Sequence, residues 1–99
     1  MQQQGHTDFL VAVGECFCGA FRGKPDFADA SPHDYQEALN AAFGEPLTPD
    51  LLSHACTDEG LAKIAAAFAG YFEVGSVSVA SVASAVRCSL LRWPLGSLG

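Results

Sequence analysis

Three segments in the middle of the chain carry the residues that typically start α-helices. Each has a Ser or Thr followed by Pro or acidic residues in the first turn: Ser31-Pro32-His33-Asp34, Thr48-Pro49-Asp50 and Thr57-Asp58-Glu59. The hydroxyl can accept a hydrogen bond from a free backbone N–H, Pro has no N–H that needs a partner, and a carboxylate is stabilised at the positive end of the helix dipole. These segments predict three helices and constrain the chain towards an all-α fold.

The spacing of apolar residues predicts how far these helices extend and adds one helix at each end of the chain. The helix that starts at Thr57 has the clearest apolar face, formed by Leu61, Ile64, Ala65, Phe68 and Phe72. Residues three and four apart lie on one side of a helix, so this face is expected to lie in the core. The predicted helices cover about residues 8–21 (capped by Thr7), 31–43, 48–54, 57–72 and 78–92. The expected fold is a small bundle of four to five helices.

The last of these helices competes with a strand interpretation. Val77 and Val79 alternate with serines as in a β-strand, whereas a stripe at helical spacing favours a helix: Val79, Val82, Val86, Leu90 and Trp93. The other positions are mostly Ala and Ser, which allow a neighbouring helix to approach closely. Self-association of the chain through this C-terminal helix is therefore one partner hypothesis.

Length and charge exclude several classes of function. The chain has 99 residues, 49% of them hydrophobic, which suits one helical domain over residues 1–99 with flexible ends at 1–6 and 94–99. So short a chain has little room for both a core and an elaborate active site, and we expect no enzymatic activity. A formal net charge of −6 argues against nucleic acid or an anionic membrane as the partner.

The acidic residues are concentrated in one block. Between Pro25 and Ala62 there are eight acids and no Lys or Arg. A field of one sign steers basic partners, so this block is predicted to dock a protein with a basic surface. The predicted partner contacts are Asp29, Asp34, Glu37, Glu45 and Asp50. Asp34 and Glu37, three residues apart on the second helix, are expected to be surface charges that can be reversed without loss of the fold.

The N-terminal sequence predicts a cytoplasmic protein. Met1 to Thr7 lacks the basic segment of a secretory signal, and the apolar stretch from Val74 to Leu91 is interrupted by serines and Arg87. The four cysteines are then expected to be reduced thiols, with no partner evident for Cys88.

Part of the chain resembles a known family. The segment Ala38-Leu39-Asn40-Ala41-Ala42-Phe43-Gly44, then Leu47-Thr48-Pro49-Asp50-Leu51-Leu52, then Thr57 and Leu61-Ala62-Lys63-Ile64 resembles the end of helix two through helix four of the carrier domains of polyketide synthases and peptide synthetases. Within about residues 31–72, the resemblance implies a helix that ends in a Leu and a Gly, a core Leu in the next loop, a short third helix and a Thr cap on the last one.

The resemblance also implies a phosphopantetheine arm on a serine at the start of helix two. The Asp-Ser-Leu motif that carries the arm in this family is absent, and an ungapped count from Leu39 places Asp29 at the attachment position. Ser31, two residues later, is the candidate attachment site. Three interpretations stay open: a degenerate carrier that only binds partners, a working carrier modified on Ser31, or an unrelated helical protein.

Two other constellations could carry chemistry. Two pairs of potential zinc ligands are present: Cys16 with Cys18, and His54 with Cys56. Residues i and i+2 point to different sides of a helix, so we predict that the chain has no metal site. His33 beside Asp34 and Ser31 is a candidate nucleophile and base pair for which no oxyanion hole can be named.

The sequence thus predicts a non-catalytic, carrier-like helical domain in polyketide or peptide biosynthesis that acts through an acidic face. The alternative is a small acidic inhibitor or immunity-type protein that occupies a basic site on a toxin, a nuclease or a host enzyme.

Overall fold

Five α-helices and one 3-10 turn make up the fold. A computed structural model describes the backbone of residues 2–92 and the side chains of residues 8–92. The elements are α1 (Gln2–Ala20), the 3-10 turn (Pro25–Phe27), α2 (Pro32–Phe43), α3 (Pro49–His54), α4 (Asp58–Tyr71) and α5 (Val79–Arg92). No strand occurs in this part of the chain, and the all-α prediction is confirmed.

The three predicted helix starts are confirmed. The Asp34 N–H donates to Ser31 Oγ at 3.3 Å and the Ser31 N–H donates to Asp34 Oδ2 at 2.9 Å, a reciprocal capping box. Thr48 Oγ1 accepts a bond from the Leu51 N–H at 3.2 Å, and Thr57 Oγ1 accepts one from the Gly60 N–H at 3.0 Å. The second helix ends at Gly44, whose left-handed φ of 72° glycine adopts without steric cost.

The first helix starts earlier than predicted. It begins at Gln2, so Thr7 lies inside α1 and the prediction that it caps the helix is wrong. Glutamine is a good helix former, and the backbone stays helical through residues 2–6, where the sequence predicts a flexible end. Trp93 and the flexible C-terminus predicted for residues 94–99 lie outside the described residues.

A cluster of aromatic rings joins the elements. Helix α1 packs against α2 and α5, and α4 packs against α2 and α5. Six rings from α1, the 3-10 turn, α2 and the end of α4 contact one another with centroids 4.6–6.5 Å apart: Phe17, Phe21, Phe27, Tyr35, Phe68 and Phe72. Phe68 is fully buried, as the predicted apolar face of the fourth helix requires.

Helix α5 uses its small residues within the fold. Ala85 and Ser89 are buried beside Val82 and Val86, and the Ser89 hydroxyl donates to the Ala85 carbonyl at 2.7 Å. The helix interpretation of this segment is confirmed from Val79 to Arg92. Part of the Ala- and Ser-rich surface of α5, on which the self-association hypothesis rests, is therefore buried inside the fold.

The prediction of four reduced thiols is wrong. Cys16 on α1 and Cys88 on α5 form a disulfide between residues 72 positions apart, which leaves Cys18 and Cys56 free. Next to it, Arg92 Nη2 lies 2.9 Å from Glu15 Oε1. The sequence gives no sign of this pairing because only the packing of α5 on α1 brings the two cysteines together.

No helix in the described part of the chain is long and apolar enough to cross a membrane.

Helices α1 and α2 meet closely at Gly14. A Cβ atom at this position would lie 2.8 Å from the Pro32 Cβ and 2.9 Å from the Pro32 carbonyl oxygen, both too close without a backbone shift. Gly14 is therefore required by packing, since glycine inside a helix is otherwise less stable than alanine.

We predict opposite effects of one substitution at two glycines of α1. Gly14→Ala should lower the free energy of unfolding by about 1–3 kcal/mol because the added methyl collides with Pro32. Gly19→Ala is the matched control: no atom lies within 4 Å of the added Cβ, so it should stabilise by up to about 1 kcal/mol. Urea unfolding measures both. Equal effects at the two positions would contradict the close contact between α1 and α2.

The disulfide should contribute strongly to stability. In protein carrying Cys18→Ser and Cys56→Ser, which prevents exchange, reduction should lower the free energy of unfolding by about 4 kcal/mol, since the bond closes a long loop. Unfolding with and without dithiothreitol measures the loss. The additional pair Cys16→Ala and Cys88→Ala should remove the response to reductant, and a loss below about 1 kcal/mol would contradict this role.

Candidate functional site: an acidic cleft

A cleft opens where the loop around the 3-10 turn meets the start of α2 and the end of α4. Its volume is about 340 Å³. The residues that line it are Pro25, Asp26, Asp29, Ala30, Asp34, Tyr71 and Phe72. Three of them carry carboxylates, two are aromatic, and none of the seven is Lys or Arg.

The loop is held in place by one buried ring. Pro25 starts the 3-10 turn, and the Ala28 N–H donates to the Pro25 carbonyl at 3.2 Å. Phe27 is buried, with its ring centroid 4.6 Å from that of Phe21 and 5.1 Å from that of Phe72. Asp26 and Asp29 lie on either side of this anchor and are both exposed, so the carboxylates are presented to solvent by an ordered loop.

The opposite wall is the end of α4. The helix stops there because Glu73 adopts a left-handed φ of 55°, and the Val74 N–H donates back to the Ala69 carbonyl at 3.0 Å. Tyr71 is 44% exposed and meets the half-buried Phe72 edge to face, with centroids 5.1 Å apart. An accessible phenol ring beside carboxylates can stabilise a cation through its π face.

Asp34 has a second role that the sequence interpretation missed. Its side chain is half-buried and accepts the Ser31 N–H, so it is part of the capping box of α2 as well as of the cleft wall. The expectation that reversing Asp34 leaves the fold nearly intact did not include this capping role. A Lys here would remove the cap and place a positive charge at the positive end of a helix.

The cleft contains part of the predicted partner surface. Asp29 and Asp34 line it, whereas Glu37, Glu45 and Asp50 do not. All three are exposed; Glu37 Oε1 lies 3.9 Å from His33 Nε2, and Glu37 Oε2 accepts a bond from Asn40. The sequence interpretation selected positions on and around the predicted helices. It missed Asp26 because nothing in the residue order shows that the loop folds against the end of α4.

Ser31 lies next to the cleft rather than in it. The residue is exposed, and its oxygen accepts the Asp34 N–H as the cap of α2. Its neighbour Ala30 belongs to the cleft wall. The hydroxyl thus has a complete structural explanation and is still accessible from solvent.

The alternative zinc ligands are not brought together. Cys16 is bonded to Cys88, Cys56 is exposed, and His54 Nδ1 lies 2.7 Å from the Asp50 carbonyl oxygen. Among the residues that the structure describes, no group of three or more His, Cys, Asp or Glu side chains is placed to hold a metal ion. The structure therefore does not bring the four alternative zinc ligands together. The carboxylates of the cleft are suited to an organic cation, which needs no tight ligand set.

Comparison with known proteins adds no family. No protein-family model, curated protein or solved structure matches the chain. Interpretation of the cleft therefore rests on its own residues.

Proposed function

We propose that this chain is a non-catalytic recognition domain that binds a basic segment of a partner protein in the acidic cleft. The observation that carries the proposal is the convergence of Asp26, Asp29 and Asp34 beside Tyr71, with no Lys or Arg among the lining residues. A Lys or Arg side chain would pair with the carboxylates and rest its alkyl stem or guanidinium plane on the ring of Tyr71.

The rest of the acidic block assists this site at long range. Glu37, Glu45 and Asp50 are exposed and add to the negative field without touching the bound segment. Charges of this kind raise the association rate, and they are screened beyond about 8 Å at physiological salt. Contacts in the cleft would instead determine how long the complex lasts.

The partner is a basic protein surface, the same chemistry that an inhibitor or immunity-type protein would recognise on a toxin or nuclease. The disulfide between Cys16 and Cys88 favours an oxidising compartment over the cytoplasm that the sequence predicts, because cytosolic thiol systems keep most cysteines reduced. Self-association through α5 stays a prediction. The large apolar residues that this helix exposes are Val79 and Leu91, and Leu91 is 85% exposed.

A carrier role is a second candidate, favoured by the exposure of Ser31 at the start of α2, where the resemblance to carrier domains places the phosphopantetheine arm. In this case the acidic α2 would be the docking face for the enzymes that load the arm.

The cleft can be separated from the general acidic field by two matched double variants. Asp26→Asn with Asp29→Asn and Glu45→Gln with Asp50→Asn both remove two of the eleven acids. We expect the first pair to weaken binding of a labelled hexa-arginine peptide by about ten-fold, through loss of charge-assisted hydrogen bonds, and the second by less than about three-fold. Fluorescence anisotropy at low and physiological salt measures both. Equal weakening by the two pairs, or no binding by the wild type, would contradict the proposal.

Intact mass tests the carrier candidate. After coexpression with a broad-specificity phosphopantetheinyl transferase, a working carrier gains the mass of one arm, and Ser31→Ala abolishes the gain. Ser53→Ala, at another exposed serine, is the matched control. We expect no gain, because the Ser31 oxygen accepts the capping bond and the Asp-Ser-Leu motif is missing. A modified Ser31 would replace the recognition proposal with a carrier function.

A further inference from the structure

A second cavity lies behind the loop that bears the acidic cleft. It is about 190 Å³ in volume and lies between the end of α1, the 3-10 turn and the first turn of α2. Its lining is Cys18, Phe21, Arg22, Gly23, Phe27, Ala28, Ala30 and Tyr35. The two cavities share Ala30 but no charged residue, because the three aspartates line only the cleft.

Tyr35 is the feature of this cavity that calls for a ligand. The side chain is 99% buried, being only 1% exposed, and its ring packs on those of Phe21 and Phe27 at 5.8 and 6.2 Å. Among the described residues its hydroxyl has no hydrogen-bond partner. Buried hydroxyls are normally hydrogen-bonded, since leaving one unpaired is costly.

The polar groups that line this cavity are hydrogen-bond donors and a cation. Burial is the main cause that raises the pKa of Tyr35 to about 12, and the nearby Cys18 and Asp34 raise it further. The hydroxyl therefore keeps its proton and can donate a hydrogen bond. Burial also raises the pKa of the Cys18 thiol, which stays neutral. Arg22 is exposed at the rim and forms no ion pair with any described residue, unlike Arg92, which pairs with Glu15. The lining residues thus offer two donors and a cation, with no carboxylate.

We propose that this cavity binds a small carboxylic acid whose apolar body is about the size of one ring. The body would lie against Phe21 and Phe27, and the carboxylate would accept the Tyr35 hydroxyl and pair with Arg22 at the rim. The size follows from the volume, which is below the range of about 300–1,000 Å³ that is typical of sites for drug-sized ligands. The site is independent of the proposed peptide cleft.

Benzoate is the probe, titrated into ¹⁵N-labelled protein and followed by the amide signals of Gly23, Ala28 and Ala30. We expect saturable shifts at these positions. Tyr35→Phe removes only the hydroxyl, and both it and Arg22→Gln should weaken binding by about ten-fold or more, the effect of losing a hydrogen bond or an ion pair to a charged group. Arg87→Gln, which removes an exposed charge from α5, is the matched control and should change binding by less than about two-fold.

Folding and specificity are checked in the same samples. Tyr35→Phe should be as stable as the wild type or more so, since the lost hydroxyl has no partner among the residues that the structure describes. Benzyl alcohol, of similar shape but uncharged, should bind at least about ten-fold more weakly than benzoate. Binding should survive in the variant with Asp26→Asn and Asp29→Asn, which separates this site from the acidic cleft. The proposal is overturned if benzoate gives no saturable shift, if Tyr35→Phe and Arg22→Gln bind it as well as the wild type, or if benzyl alcohol binds equally well.

Discussion

Contacts among six aromatic rings hold the loop between the two proposed binding sites in place. Phe27 is the ring that anchors the loop around the 3-10 turn. Its burial between the rings of Phe21 and Phe72 fixes this otherwise irregular segment. Aromatic pairs contribute about 0.5–1.5 kcal/mol each beyond the area they bury, which is enough to order a short loop when several act together. With the loop fixed, Asp26 and Asp29 face one cavity, and the same ring forms the wall of the other.

The rings also divide the surface by charge. On the outer side of the loop, carboxylates and Tyr71 line the cleft that we propose binds a basic segment. On the inner side, Tyr35 and Arg22 form a cavity that offers donors and a positive charge. One cavity is therefore lined by carboxylates and its neighbour by donors and an arginine, although the net charge of the chain is strongly negative. Net charge predicts long-range attraction, whereas the selectivity of each cavity depends on the few side chains that line it.

Asp34 illustrates how one side chain can serve both fold and site. Its carboxylate accepts the Ser31 N–H at the start of α2, and its side chain also forms part of the cleft wall. The capping bond holds the side chain in place at the end of the helix where the dipole favours a carboxylate. A sequence pattern can indicate either role, but only the geometry shows that they coincide.

Local chemistry made most of the helices predictable. Capping hydroxyls, prolines and apolar spacing act within a few residues, so the starts at Ser31, Thr48 and Thr57 and the buried face around Phe68 follow from the sequence. The pairing of Cys16 with Cys88, the contact of Gly14 with Pro32 and the position of Asp26 opposite Tyr71 join segments that are distant along the chain. Only tertiary packing decided these, because residues far apart in sequence meet through the geometry of helix packing, for which a single sequence carries no local signal.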